Sequence, residues 1–380
     1  MKVLLAPDSF KENISALDIC SILSLAIGGV STDFEVFQMP LSDGGDGFVA
    51  VLKHYLNFET QTVKAHDALM RPINAEFLFD AQNKTAFIES AEAIGLHLLK
   101  TKEQNPMHTT SYGLGELIKA ALDLNANNLI VGLGGTATND AGMGMLKALG
   151  VEFFDVNGNK LAPFGNQLQQ IHSIDSSQLD KRIFAVQITA ACDVENPFCG
   201  KQGAAFVFAA QKGANAHEIE LLDAGLLHFA VLAKKKFSFD FQTLKGGGAA
   251  GGVAASMAAV LGAKLNSGFQ VLSQIINLEQ WIAKSDLIVS AEGKIDSQTA
   301  SGKVIGSLLA TCNKHNKKLI VFTANIGDSI ENLYEKGLTS VFSIQNAPMS
   351  KAESYTNAKE LLLKSATNVF RLLAQTNNLQ

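Results

Sequence analysis

Polar segments with residue types able to do chemistry recur along this chain, each just after a short aliphatic run. Ala6–Lys11 reads APDSFK, placing an acid (Asp8), a hydroxyl (Ser9) and a cation (Lys11) where a first strand would end. Such residues beyond a strand's carboxyl end suit a ligand, although Asp8 or Ser9 could equally cap a following helix. Leu41–Gly47, LSDGGDG, sets Asp43 and Asp46 among Gly44, Gly45 and Gly47. Glycines there allow a backbone to approach a ligand closely, or simply make a tight turn. Cys192–Gly200, CDVENPFCG, brings Asp193 to another strand end, suited to accept a hydroxyl proton, hold Mg²⁺ or cap a helix. Lys212, in the following QKGA, reads in isolation as a solvated lysine.

Two segments invite named nucleotide motifs. In Gly132–Gly144, GLGGTATNDAGMG, the residues Gly132, Gly134 and Ala137 satisfy G-x-G-x-x-A, and Asp155 stands where the acidic partner of a dinucleotide fingerprint would. This supports an NAD-dependent oxidoreductase of a small hydroxyacid. Yet the polar stretch runs on through Gly135, Thr136, Thr138, Asn139 and Asp140 before a helical pattern begins at Met145. A dinucleotide loop starts its helix inside the fingerprint, whereas a longer polar loop suits wrapping phosphate with N–H and hydroxyl donors. In Ala291–Lys303, AEGKIDSQTASGK, the Gly302-Lys303 pair suggests a P-loop, but Ser297 and Val304 break that pattern. What remains, Glu292, Asp296, Gln298, Thr299 and Lys303, suits a Mg²⁺–phosphate site or a solvated loop. No H-E-x-x-H or G-x-S-x-G occurs, so zinc- and serine-hydrolase readings lack support.

Positioning these loops requires an α/β framework. Aliphatic runs at Lys2–Ala6, Phe34–Gln38, Asp286–Ala291, Lys318–Thr323 and Thr339–Ile344 read as strands separated by helix-length connections, except for the long gap between the second and third. The expectation is a doubly wound parallel sheet formed by residues 1–58 and 283–380, interrupted by an inserted α/β domain at 59–282. Within the insertion, Ala75–Phe79, Thr85–Glu89, Leu129–Gly132 and Ile183–Ala190 read as strands. Leu114, Leu117, Ile118, Ala121 and Leu122 mark a helix, and Ala358–Leu373 reads as a C-terminal helix covering the sheet.

Bulk properties narrow the class. At 380 residues the chain exceeds one usual core, and 47% apolar with 18% charged residues is globular. A net charge of -5 argues against a nucleic-acid surface, and no apolar run is long enough to span a membrane. The 4 cysteines form no C-x-x-C pair and read as reduced thiols, placing the protein in the cytoplasm. A homodimer is compatible with the sequence but not required by it.

Taken together, LLAPDSFK, PLSDGGDG, TTSYGLGELIKAALD, IVGLGGTATNDAGMGMLKALG, CDVENPFCG with QKGA, GGGAAGG and AEGKIDSQTASGK resemble the type 1 glycerate kinase family, in its order. Phe48 stands where that family usually has a threonine. The resemblance implies a flavodoxin-like domain interrupted by an inserted one, and phosphorylation of the small molecule D-glycerate by ATP with Mg²⁺ in an interdomain cleft, 2-phosphoglycerate being favoured as product. On that reading Asp193 and Lys11 are the catalytic candidates, and Asp8, Ser9, Asp43 and Gly44 bind glycerate. Gly134, Gly135, Thr136, Thr138, Asn139, Lys212 and Lys303 bind nucleotide phosphate, while Glu292 and Asp296 orient the metal.

Overall fold

The computed structural model describes residues 1–10, 13–45, 47–296, 299 and 304–377. In chain order its strands are β1 (Lys2–Leu5), β2 (Glu35–Gln38), β3 (Glu59–His66), β4 (Pro72–Asp80), β5 (Thr85–Glu89), β6 (Asn128–Gly132) and β7 (Glu152–Phe154). They continue as β8 (Ser173–Asp175), β9 (Gln187–Ala191), β10 (Lys264–Asn266), β11 (Leu287–Ile295), β12 (Lys318–Ile326) and β13 (Ser340–Ser343). The chain divides into two compact units, one made of 1–43 with 269–380 and the other of 44–268.

The first unit holds a sheet ordered β13-β12-β11-β1-β2, in which every pairing is parallel. Read from β2 and numbered within the unit, the order is second, first, third, fourth, fifth, the flavodoxin-like arrangement. Strands buried on both faces must be apolar throughout, and Val3, Leu4, Leu5, Ile288 and Val289 are all buried. One face is covered by the helix Ala16–Gly28, whose N-cap Ser15 accepts from the Asp18 N–H at 3.1 Å. The helix Lys351–Asn377 joins the same core through Leu361, Leu362, Ala366 and Phe370. The ring of Phe370 meets that of Phe34 edge-on at 5.5 Å.

The second unit builds a sheet ordered β10-β9-β6-β5-β4-β3. β5, β6, β9 and β10 are parallel, while β3 and β4 extend the sheet antiparallel. The helix Tyr112–Asp123 turns Leu114, Leu117, Ile118, Ala121 and Leu122 into the core, as its spacing predicts. The strand expected over Ile183–Ala190 starts only at Gln187, because Lys181–Ala185 forms a tight helical turn behind its Asp180 cap. The helix Phe48–Tyr55 belongs to this unit, so the division falls at 43/44 and 268/269 against the expected 58/59 and 282/283.

Candidate active site

Parallel strands present their ligand-binding loops at their carboxyl ends, and in the second unit a long glycine-rich loop follows β6. After Gly132 the chain takes no helical turn until Met143. Gly135 at φ +62° and Gly142 at φ +74° supply left-handed turns that a side chain would strain. The loop is tied down at its far end by Asp140, a fully buried carboxylate. It accepts from the Ser111 N–H (2.7 Å), the Ser111 hydroxyl (2.8 Å) and the N–H groups of Gly142 and Gly144 (3.1 Å each). Burial pushes the Asp140 carboxyl above its ordinary pKa, and those hydrogen bonds from Ser111, Gly144 and Gly142 oppose the shift. The second glycine-rich segment closes on the loop: the Ala141 N–H donates to the Gly251 carbonyl at 3.0 Å. A Cβ on Gly251 would sit 2.1 Å from the Thr138 carbonyl oxygen.

Lys212 is not a surface lysine. It is 4% exposed, and its Nζ donates to the Thr138 carbonyl at 2.7 Å and faces the Thr136 hydroxyl at 3.4 Å. Burial pulls its pKa down to about 8, against the opposing attraction of Asp140. Among the described residues no carboxylate forms an ion pair with it, so a buried positive charge rests on neutral oxygens of the loop. Beside it, Thr138 Oγ1 and both amide atoms of Asn139 are buried without hydrogen-bond partners. Unmet polar groups at this density are costly in a folded interior and mark a place built for a polar ligand. The structure thus gathers Thr136, Thr138 and Asn139 on one loop, with Lys212 packed against it from a separate helical turn and Gly134 and Gly135 leading in from β6.

Asp193 follows β9, the parallel neighbour of β6. Its Oδ1 accepts the Gly268 N–H at 2.9 Å, at the first residue of the helix Gly268–Ile275, so one oxygen does cap a helix. Gly44 and Gly45 pack against the carboxyl ends of these two strands. A Cβ on Gly134 would fall 2.2 Å from the Gly45 Cα, and one on Gly44 would fall 3.1 Å from the Ala191 carbonyl oxygen. Gly44 therefore packs on the strand ends of the second unit, whereas Asp8, Ser9 and Asp43 lie in the first. Sequence reading missed Glu89, the last residue of β5, whose buried carboxylate accepts from the Gly47 N–H (2.9 Å) and the Val49 N–H (3.0 Å).

In the first unit, Asp8 is buried at the carboxyl end of β1, its N–H donating to the Ala291 carbonyl at 3.0 Å. Its Oδ1 accepts from the Ser9 N–H at 2.7 Å. That places Asp8 beside Glu292 on one sheet edge, with the buried Thr323 paired to Glu292 across β12. Asp296 follows the last residue of that strand and pairs with Lys294 at 2.8 Å. Lys11, Asp46, Gln298 and Lys303 lie outside the described residues. The dinucleotide reading loses its local support: the helix begins at Met143, far past Ala137. Asp155 closes its own exposed turn, accepting from the N–H groups of Asn157 and Asn159.

Known proteins resemble the chain over nearly its whole length. The glycerate kinase family model matches residues 3–374. A glycerate kinase of Bacillus cereus is 38% identical over 97% of each chain, and the glycerate 2-kinase of Escherichia coli is 36% identical over 98% of each. A crystal structure from Salmonella typhimurium LT2, assigned as a glycerate kinase 2, superposes with a TM-score of 0.81 at 37% identity, covering 100% of this chain and 99% of that one. With a family match spanning nearly its full length, the chain belongs to the glycerate kinase family.

Proposed function

We propose that the protein transfers the terminal phosphoryl group of ATP to D-glycerate, with the 2-hydroxyl as acceptor. The observation that carries this reading is the β6 loop, polar and glycine-lined from Gly134 to Asp140, floored by the buried ammonium of Lys212, in a chain of this family. Phosphoryl transfer asks a protein chiefly for positioning and neutralisation of charge. The loop's N–H groups and hydroxyls supply the first for nucleotide phosphates, and Lys212 adds positive charge beneath them. Asp193, with one oxygen engaged by Gly268, is proposed to take the proton of the attacking hydroxyl. Asp8, Ser9 and Asp43 are proposed to orient glycerate, and Lys11 to neutralise its carboxylate or the phosphoryl in flight.

Mg²⁺ fits the donor set of Glu292 and Asp296. Both are hard oxygen ligands, Glu292 within β11 and Asp296 just past its end, and Mg²⁺ is usually held by one or two carboxylates with water and substrate phosphate completing its shell. When bound, the ion would neutralise phosphate charge, with Glu292 and Asp296 as the residues that would hold it. The E. coli relative's name supports the 2-position. The cytoplasm is the compartment proposed, since it supplies ATP and keeps thiols reduced, and all four cysteines are free.

The test is incubation with ATP, Mg²⁺ and D-glycerate, ADP release being followed by a coupled assay and the product by ³¹P NMR. ADP formation dependent on D-glycerate, with a 2-phosphoglycerate resonance, is expected. Binding of NAD(H) without turnover of ATP would overturn the reading.

A further inference from the structure

Glu89 is buried at the carboxyl end of β5 and uses both carboxylate oxygens on a segment more than one helix away in sequence. Oε1 takes the N–H of Gly47 and Oε2 that of Val49, at the start of the helix Phe48–Tyr55. The N-cap of that helix is Gly47 at φ +86°, which has no side chain to cap with. A helix start leaves unpaired N–H groups and a partial positive charge, and here an anion from a neighbouring strand satisfies both.

Capping alone would not require so costly a device. A serine or aspartate at the N-cap would serve from the surface, without burying a charge. What the β5 carboxylate adds is a fixed tie between the sheet and the glycine loop entering the helix. Gly45 lies against Gly134, and the Gly44 carbonyl oxygen would stand 2.6 Å from a Cβ on Gly132. On the other side Gly44 touches the Ala191 carbonyl at the end of β9, one residue before Cys192 and two before Asp193. The loop that Glu89 fixes therefore packs against the paired carboxyl ends of two strands at once, the one that launches the phosphate loop and the one that Asp193 follows.

We propose that Glu89 is a positioning residue for phosphoryl transfer. It touches no substrate; by holding the backbone of Gly44–Gly47 in place it sets the spacing between the Gly134–Asn139 loop and Asp193. The proposal rests on the kinase reading above. In-line transfer tolerates little misplacement, and a shift of about 1 Å can cost about 10²-fold in rate. A loosened tie should therefore act on turnover more than on nucleotide affinity, which depends on the Gly134–Asn139 loop and Lys212.

The experiment compares the full-length wild type with Glu89→Gln and Glu89→Asp. For each, thermal unfolding, the Kd for ADP by calorimetry, and kcat with ATP, Mg²⁺ and D-glycerate are measured well below the unfolding temperature. Glu89→Gln keeps the shape but replaces one acceptor with a donor. Its kcat is expected to fall at least tenfold while the ADP Kd stays within about threefold. Glu89→Asp, which keeps both acceptors on a shorter stem, should recover at least threefold of that loss, and it carries the test alone if the glutamine variant does not fold. Folded variants with kcat within twofold of wild type, whatever their unfolding temperatures, would reduce Glu89 to a structural cap and overturn the proposal. Absence of wild-type turnover with D-glycerate would instead overturn the kinase reading, and this inference with it.

Discussion

The ammonium of Lys212 sits 2.7 Å from the carbonyl oxygen of Thr138 and 3.4 Å from the Thr136 hydroxyl, packed directly against the loop that carries the nucleotide-binding candidates. Lys212→Met should weaken ADP binding by about tenfold or more, the size expected for losing one hydrogen bond from a charged donor. Because methionine removes a buried charge without an ion-pair partner, the unfolding temperature at pH 7 should stay at or above that of wild type. Calorimetric titration and thermal unfolding of the same samples check both; tight binding by the methionine variant would remove Lys212 from the nucleotide site.

The same residue sets a pH dependence. Its folded pKa, about 8, lies below the ordinary 10.5, so the native state binds fewer protons than the unfolded chain between those values. Stability from this group accordingly rises as pH climbs from about 8 toward 10.5, and falls away in the opposite direction. Nucleotide affinity should move the other way, weakening as the ammonium discharges above about pH 8. Lys212→Met should lack this dependence in an ADP titration from pH 6.5 to 9.5, within roughly that span of the lysine's titration.

Asp140 is the anchor of the loop's far end, with four hydrogen bonds at 2.7–3.1 Å. Asp140→Ala leaves the Ser111, Gly142 and Gly144 N–H groups buried without acceptors. A loss of about 3 kcal/mol or more is expected in urea denaturation. A loss below about 1 kcal/mol would mean that water or a neighbour replaces the carboxylate.

Glycines separate by what surrounds them. Gly134→Ala drives a methyl into Gly45, where the gap is 2.2 Å to backbone, and should destabilise by about 1–3 kcal/mol and cut kcat/KM at least tenfold. Gly158→Ala, at φ +79° with open space around it, should cost only the backbone strain of about 1–2 kcal/mol and leave kinetics unchanged. Equal kinetic effects at both positions would argue against a tight seat at Gly134.

Asp193→Asn keeps an oxygen for the Gly268 N–H and should preserve the fold while lowering kcat by about 10²-fold, as expected for loss of a general base. Wild-type kcat in a variant with unchanged unfolding temperature would leave Asp193 only its helix-capping role.

Apolar runs bounded by turn residues made the flavodoxin-like sheet legible, because strands buried on both faces have no polar alternation to obscure them. β3 escaped that reading: Glu59–His66 is an edge strand, largely exposed, and its sequence ETQTVKAH carries no apolar face to see. Ala205–Ala209, an apolar run by sequence, lies mostly within the helix Ala204–Phe208. Periodicity cannot separate a short strand from a short buried helix. The glycine loops were visible as loops, but their partners were not. Lys212 looks like any surface lysine until the fold buries it, and Glu89 looks like the end of a strand until Gly47 and Val49 arrive from distant sequence. Phe48 is fully buried, its ring lying beside Gly132.

The order in which the chain can fold follows from one pairing. β1 takes its sheet neighbour β11 through Val3 and Leu287, so β1 and β2 leave the ribosome long before β11 exists. The whole segment 44–268 is synthesised in between and owns a complete core, which lets it fold as a unit while the first sheet waits. Its two ends meet, with a Cβ on Gly44 reaching within 3.0 Å of the Gly268 Cα. Once that segment is folded, β2 and the chain leading to β11 are joined by a short rigid bridge in place of a long coil, and most of the loop entropy that would oppose closing the first sheet is already gone. The second unit is thus a template for assembling the first, and a mutation that slows its folding would appear as delayed formation of a sheet to which it contributes no strand.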